Sequence, residues 1–429
     1  MQEQGQETRA ETGECGAAGA KRPVVLLAAT CLWPCASKLA ILLSRLGCDV
    51  AAAAPKSHTL HRARAVSTCM TYHARWPLRT LEEAIARTRA DLVIPCDDRV
   101  VLHLHRLHAR TGDPALRQVI ERSLGDPSAF ATVETRIDLL ALARKLGVDV
   151  PEGRELRNDA DLEEWIAAHP APWVLKVDGS WGGEGVRIVS TAAQARRAFR
   201  ALRRRIAPLF ALRQLLLRQN LFVLTPWLHE PAARVSAQAH VQGRPANCAL
   251  AAWRGDVLGA MSANVIVSDG ATGPASIIRL DGDLRMAEAG AKIVAALGAS
   301  GLVGFDFVIE RATGKPWLVE MNPRATPIAH LQPGQGRDLA APLVSKAFGA
   351  RVSAPTVFGE TVALYPQALF VSDGRRELEG AYLDVPLEDP LLARLMLRRP
   401  WLDRNAVCEF LDSIGLKAVA KVIRGQGRG

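Results

Sequence analysis

The sequence predicts an α/β domain with a doubly wound parallel sheet at its N-terminal side, followed by a larger α+β region. Three observations predict this. Short runs apolar on both faces, PVVLLAAT at 23–30 and DLVIP at 91–95, alternate with helical patterns, as in a parallel sheet covered by helices on both sides. WVLKV at 173–177 returns through a glycine-rich loop into VRIV at 186–189, which reads as an antiparallel hairpin. GFDFVIE at 304–310 and PWLVEMN at 316–322 flank the turn sequence RATGK, a second hairpin.

The elements follow in order. Residues 1–21 are polar, small and aperiodic, the composition of a disordered tail. KRPVVLLAATCLWPCA at 21–36 superficially resembles a secretion signal, but about twenty polar, partly acidic residues precede it and it leads straight into a helical pattern, so it reads as a buried first strand. SKLAILLSRLG supplies an amphipathic helix stopped by Gly47, and a second strand follows. TLEEAIARTRADLVIPCDD repeats helix then strand. Residues 22–125 therefore form the doubly wound domain. Ligands in such sheets sit at the carboxyl ends of strands, here 31–37 and 97–99.

A boundary falls near SLGDPSAFA at 123–131. Leu139, Leu142, Ala143 and Leu146 mark a helix ended by Gly147, and DADLEEWIAAH marks another, broken by Pro170. Residues 205–234 match no pattern and read as an inserted excursion. VSAQAHV, NCALAAW and DVLGAMSANVIV read as strands from Val235 onward, and LRMAEAGAKIVAALG as a helix. From about 350 short strands and helices mix with proline punctuation.

Composition excludes several classes. Hydrophobic residues are 48% and charged residues 23% of the 429, the balance of a globular protein. No apolar run reaches the ~20 residues of a membrane span. The net charge is +10, but the densest basic run, RRAFRALRRR at 196–205, has the spacing of a solvated helix face and no nucleic-acid signature beside it. Of eight cysteines only Cys31 and Cys35 are close, as C-x3-C, without zinc-site spacing. All read as reduced thiols of a cytoplasmic protein.

Four glycines, 179, 182, 183 and 185, fall within seven residues that begin three positions after Lys176. A P-loop needs Lys-Ser/Thr opening a helix, and a dinucleotide turn also opens a helix; here a strand follows. What remains is a glycine lid whose N–H groups lie over phosphates, with Lys176 as point charge, or else an ordinary glycine hairpin with an exposed lysine. In the second hairpin a turn centred on Thr313 sets Asp306 opposite Glu320, with Asn322 on the same face and Phe305, Phe307, Ile309, Trp317, Val319 and Met321 on the core face. Two carboxylates about 5 Å apart repel by roughly 3 kcal/mol at an effective dielectric of 20. A divalent cation held by two carboxylates and an amide offsets that, and Mg²⁺ suits such oxygen ligands. The competing readings are a register slip or solvent screening. Arg324 follows as an anion clamp.

Together the lysine strand and glycine lid, the helix ending KLGVDVP, GFDF and EMNPR at 320–324 resemble the ATP-grasp superfamily over about residues 22–345. The resemblance implies a pre-ATP-grasp domain at 22–125 and an ATP-grasp domain at 126–345. Within the latter it implies a lid subdomain about 126–204, the excursion about 205–234, and a hinge and metal subdomain about 235–345. A C-terminal region, 346–429, follows. It implies that Arg136 and Lys176 hold phosphates under Gly182, Gly183 and Gly185. The hinge, AQAHVQGRPAN, would read adenine at Gln238, His240 and Val241, although Gln238 and His240 depart from the family's usual acid and aromatic residue. Asp306, Glu320 and Asn322 match the metal ligands, and Arg324 the arginine that steadies the transferred phosphate or acyl group. The implied activity is a carboxylate–amine ligase using ATP and Mg²⁺, two ions, with Mn²⁺ as the substitute. Small-molecule carboxylate and amine substrates are the implied partners, not membrane or nucleic acid, and a homodimer is left open. An ATP-grasp carboxylase or phosphotransferase, or a nucleotide-binding module without catalysis, would carry much of the same pattern. Asp97, Asp98, Arg99 and His330 are candidate substrate contacts, against ordinary capping and packing roles. Trp181 sits at the lid tip.

Overall fold

The first apolar run forms β1 (Val24–Ala28), buried along its whole length because helices cover both of its faces. The computed structural model describes residues 22–178, 185–203, 234–270, 272–281, 284–334, 336–349, 359–370 and 376–397. The tail 1–21, nearly all of the excursion at 205–234, and the lid residues Trp181, Gly182 and Gly183 lie outside them. β1 is followed by α1 (Cys35–Arg45), β2 (Asp49–Ala54), β3 (Thr68–Thr71), α2 (Pro77–Thr88), β4 (Leu92–Pro95), α3 (Asp98–Arg110) and α4 (Pro114–Leu124). The parallel sheet runs β3-β2-β1-β4. Alternate β1 side chains enter two cores: Val25 and Leu27 pack with α1, while Val24, Leu26 and Ala28 pack with α2, α3 and α4. That is the period-2 division expected of a doubly covered strand.

Next come α5 (Phe130–Glu134), α6 (Arg136–Lys145), β5 (Gly153–Leu156), α7 (Asp159–Ala168), β6 (Trp173–Val177), β7 (Val186–Val189), α8 (Ala192–Arg203) and β8 (Val235–Ala239). Their antiparallel sheet runs β5-β8-β6-β7 and has its own core, in which Trp165, Trp173, Leu175 and Phe199 are buried. β8 thus pairs with the glycine hairpin, whereas the sequence reading groups Val235 with the strands that follow. Pairing decides: Val174 lies opposite Gln238 and Lys176 opposite Ser236.

The third sheet contains β9 (Gly243–Trp253), β10 (Asp256–Ser268), β11 (Ala275–Asp281), β12 (Gly301–Glu310) and β13 (Pro316–Asn322), with α9 (Leu284–Leu297) before β12 and α10 (Ala340–Phe348) after β13. β14 (Thr361–Ala363) and β15 (Tyr382–Leu383), before α11 (Pro390–Leu397), extend this sheet from within the stretch read as a separate C-terminal region. The order is β13-β12-β9-β10-β11-β14-β15. One face packs on α6 and α9; the other shares a core with α10, α1 and the parallel sheet. Among the described residues no helix is long and apolar enough to cross a membrane, and the six described cysteines form no disulfide.

Candidate active site

The three sheets meet at a cavity of about 410 Å³. Val174, Val186, Ile188, Ala239, Val241 and Pro245 are on its wall, an apolar set from the β6–β7 hairpin and the crossover from β8 to β9. Gln238 and His240 line it too. Gln238 is buried, and its Nε2 has no hydrogen-bond partner. Charged side chains share the wall: Asp98, Arg136, Lys176, Asp306, Glu320 and Arg324.

Each charge is placed by an element. Arg136 is the first residue of α6, whose N-cap Thr135 accepts from the Asp138 N–H. Its guanidinium bridges Asp178 at 3.2 Å and Glu320 at 2.6 Å. Lys176 points from β6 across the cleft and donates to the Val319 carbonyl at 3.2 Å. Burial and the neighbouring Arg136 lower its pKa to about 8, although Glu320, Asp306 and Asp178 oppose the shift. Asp306 and Glu320 face each other on β12 and β13. Asp306 accepts from the Nδ2 atoms of Asn247 at 2.5 Å and Asn322 at 3.0 Å. Burial and then the Glu320 charge raise the Asp306 pKa. Burial would raise Glu320 as well, but Arg136 and Lys176 outweigh it and hold that carboxyl below its usual value. So arginine, lysine and two amides surround a pair of like charges.

The register of this hairpin departs from the sequence expectation in one respect. Asp306 pairs with Glu320 and Gly304 with Asn322, but Phe307 pairs with Leu318. Val319 is an extra residue, a β-bulge. The bulge moves Leu318 into the core, where Trp317 and Val319 were expected, while Phe305, Phe307, Ile309 and Met321 keep their places. Val319 lines the cavity instead, and its carbonyl receives Lys176.

Arg324 donates from Nε to Asp98 at 3.1 Å and from Nη2 to the Asn322 Oδ1 at 2.9 Å. Asp98 begins α3 and lines the cleft. Asp97 also reaches the cleft wall, but its carboxylate is consumed as a structural cap. It accepts from the N–H groups of Thr30 at 2.5 Å, Cys31 at 3.1 Å and Val100 at 3.1 Å. Arg99 and His330 are not among the residues lining this cavity. His330 instead binds the Asp384 carboxylate at 2.9 Å, and Lys38 completes a buried cluster there. Gly185 is described; its carbonyl accepts from the Val177 N–H at 3.0 Å, closing the base of the glycine hairpin. Asn247 and Asp178 escape the sequence reading. Asn247 lies opposite Asp306 on β9, a pairing visible only in the sheet order. Asp178 continues the Val174 and Lys176 face and has that signal in the sequence.

No protein-family model and no curated protein matches the sequence. Solved structures do match. A Campylobacter jejuni biotin carboxylase in complex with β,γ-ATP aligns over 78% of this chain and 72% of its own, at 14% identity and TM-score 0.56. A carboxyaminoimidazole ribonucleotide synthase from Aspergillus clavatus, complexed with ATP, aligns over 77% and 80%, at 14% identity and TM-score 0.53. An L-amino acid ligase from Bacillus licheniformis aligns over 71% and 69%, at 15% identity and TM-score 0.50. The chain has the ATP-grasp fold. At these identities the likeness is one of fold, so chemistry rests on the residues themselves.

Proposed function

We propose that this protein is an ATP- and Mg²⁺-dependent ligase that activates a substrate carboxylate as an acyl phosphate and joins it to an amine. The observation that carries this reading is the charged cluster of the cleft. Lys176 and Arg136 stand against the Asp306–Glu320 pair, and apolar side chains on the wall of the same cavity suit a nucleobase.

The metal requirement is tested by the donor set. Among the described residues no three His, Cys, Asp or Glu side chains cluster closely enough to hold an ion by themselves. Two carboxylates and the Asn322 amide, all oxygen donors, fit Mg²⁺ completed by phosphate and water. Asp306, Glu320 and Asn322 would hold it once Arg136 is drawn from Glu320 toward incoming phosphate and the Asn322 amide turns its oxygen inward. When bound, Mg²⁺ neutralises charge on the transferred phosphoryl group.

The chain's own groups do the rest. Lys176 and Arg136 hold the phosphates. Arg324 steadies the substrate carboxylate while one of its oxygens bonds to the γ-phosphorus and the bond to the ADP oxygen breaks. The amine lone pair then attacks the acyl carbon, phosphate leaves, and the amine gives up a proton. Positioning and charge complementarity supply most of the acceleration. A glycine lid closing at the turn between β6 and β7 would keep water from the acyl phosphate.

Glu320→Gln tests the reading. It preserves shape and removes one metal charge, so ADP formation should fall about 100-fold or more, while the variant still folds, with a lower melting temperature because Arg136 loses an ionised partner. Turnover at the wild-type rate would refute the metal assignment. ADP release that depends on bicarbonate and needs no amine would identify a carboxylase instead.

A further inference from the structure

A second cavity, separate from the cleft, shares no lining residue with it. It holds about 70 Å³, roughly the room of five waters or of one small ion. Two segments contribute to both cavities. Helix α1 lends Cys35 to the cleft, and Lys38, Ile41 and Arg45 to the second cavity. The loop after β13 lends Arg324 and Ile328 to the cleft, and His330, Leu331 and Gln332 to the second cavity. Tyr382 of β15 and Asp384 after it are also on that wall.

Two buried donors of this wall are left over. Asp384 is fully engaged: His330 donates from Nε2 to both of its oxygens at 2.9 Å, and Lys38 donates to Oδ2. Lys38 also donates to the Tyr365 carbonyl at 2.9 Å, and its third N–H has no acceptor among the described residues. Gln332 is buried, and its Nε2 has no hydrogen-bond partner. A buried donor without an acceptor is costly to keep, and such an orphan points to an absent partner. At the rim Arg45 meets Glu388 at 3.2 Å, with both side chains about half exposed. Formal charges are paired, Lys38 with Asp384 and Arg45 with Glu388, so neither carboxylate is spare for a cation. The unmet capacity is that of donors. Lysine and arginine supply part of it, and cationic donors bond a charged acceptor more strongly than a neutral one. We infer that this cavity is an accessory site for a small oxyanion, a carboxylate or a phosphate group, held by Lys38 and Gln332 within and by Arg45 at the rim. The inference stands apart from the ligase reading. Its bearing on the cleft is that the anion would rest on the loop that carries Arg324.

Equilibrium dialysis of the full-length protein against radiolabelled phosphate, and separately against radiolabelled acetate, tests this at fixed ionic strength. At least one of the two anions should bind at a saturable site. Gln332→Leu keeps the bulk of the side chain and removes its N–H donors. It should weaken that binding about 10-fold or more, the value of one hydrogen bond to a charged group. Arg45→Ala, at a half-exposed position where folding is not at stake, should weaken it about 3-fold. Acetate bound alone identifies a carboxylate ligand and phosphate bound alone a phosphoryl one; either result supports the site. Unlabelled acetamide, the neutral twin of acetate, should displace neither. Three results overturn the inference. One is that neither anion binds. The second is binding that both variants retain in full, which would put the anion against Lys176 and Arg136 in the cleft. The third is displacement by acetamide as effective as displacement by acetate, which would make the ligand a neutral acceptor.

Discussion

Lys176 is buried beside Arg136 and lies opposite two carboxylates. Its pKa of about 8, set first by burial and then by Arg136, has two consequences of definite sign. Between about 8 and the ordinary lysine value of 10.5 the folded chain binds fewer protons at this site than the unfolded chain. The contribution of Lys176 to stability therefore rises with pH across that window. Nucleotide affinity moves the other way, because the cation that meets the phosphates is present below pH 8 and is lost above it. Bound phosphate lifts the pKa again, so the loss sets in above pH 8. MgADP affinity measured from pH 7 to 10 should fall about 10-fold or more over the alkaline half, the value of one charge-assisted hydrogen bond. Lys176→Arg keeps its charge throughout and should flatten the profile. A wild-type profile as flat as that of the variant would place the lysine away from the phosphates.

At the scale of elements, α9 and the sheet beneath it show how closely backbone and core are matched. Met286, Gly290, Ile293, Val294 and Leu297 form its buried face. A Cβ on Gly290 would stand 2.8 Å from Leu250 Cδ1 and 3.1 Å from the Phe305 ring, so glycine lets the helix approach β12. Gly290→Val should cost about 1–3 kcal/mol by overpacking, read as a lower denaturant midpoint; an unchanged midpoint would show that the contact is looser. Helices and strands of this kind were legible in the sequence because one period dominates each of them, 3.6 in α1, α7 and α9 and 2 in β6 and β12. The Asp306–Glu320 pairing was legible for the same reason. Val319 was not, since a bulge leaves no mark on composition and is seen only when register shifts between Asp306 and Phe307. β3, a partly exposed edge strand of four residues, was missed because short edge segments take their conformation from the neighbours they pair with; β11, missed as well, is an internal strand between β10 and β14. The membership of β8 depends on pairing across the chain, which local pattern does not encode.

On the scale of the whole molecule, Lys38 from α1, His330 from the loop after β13 and Asp384 from the segment after β15 form a buried cluster. Burial acts to raise the Asp384 pKa, but His330 and Lys38 outweigh it and hold the carboxyl below its usual range. Its stabilising contribution is therefore complete above the ordinary carboxylate pKa and is lost as pH falls through the lowered one. Asp384→Ala strands a buried ammonium and should cost about 3–5 kcal/mol, whereas the double change Lys38→Met with Asp384→Leu should recover much of that loss. Thermal melting of the two variants checks both; a neutral single change would show that the cluster is solvated. The same joining is seen in the cores. Leu27, Leu39, Met261, Leu302 and Leu343 belong to one core spanning the parallel sheet and the large sheet, while the β5-β8-β6-β7 sheet packs around Trp165 and Phe199 by itself. Asp98, Arg324 and the paired acids therefore stand on elements of the shared core, and Lys176 and Gln238 on the sheet with a core of its own. Between the two cores run the polar links Arg136–Asp178, Arg136–Glu320 and Lys176–Val319. A nucleotide held by Lys176 on one side and the paired acids on the other would staple the two cores together. In small-angle scattering the radius of gyration should contract when MgADP is added; an unchanged radius would show that those polar links already hold the cores in their closed spacing.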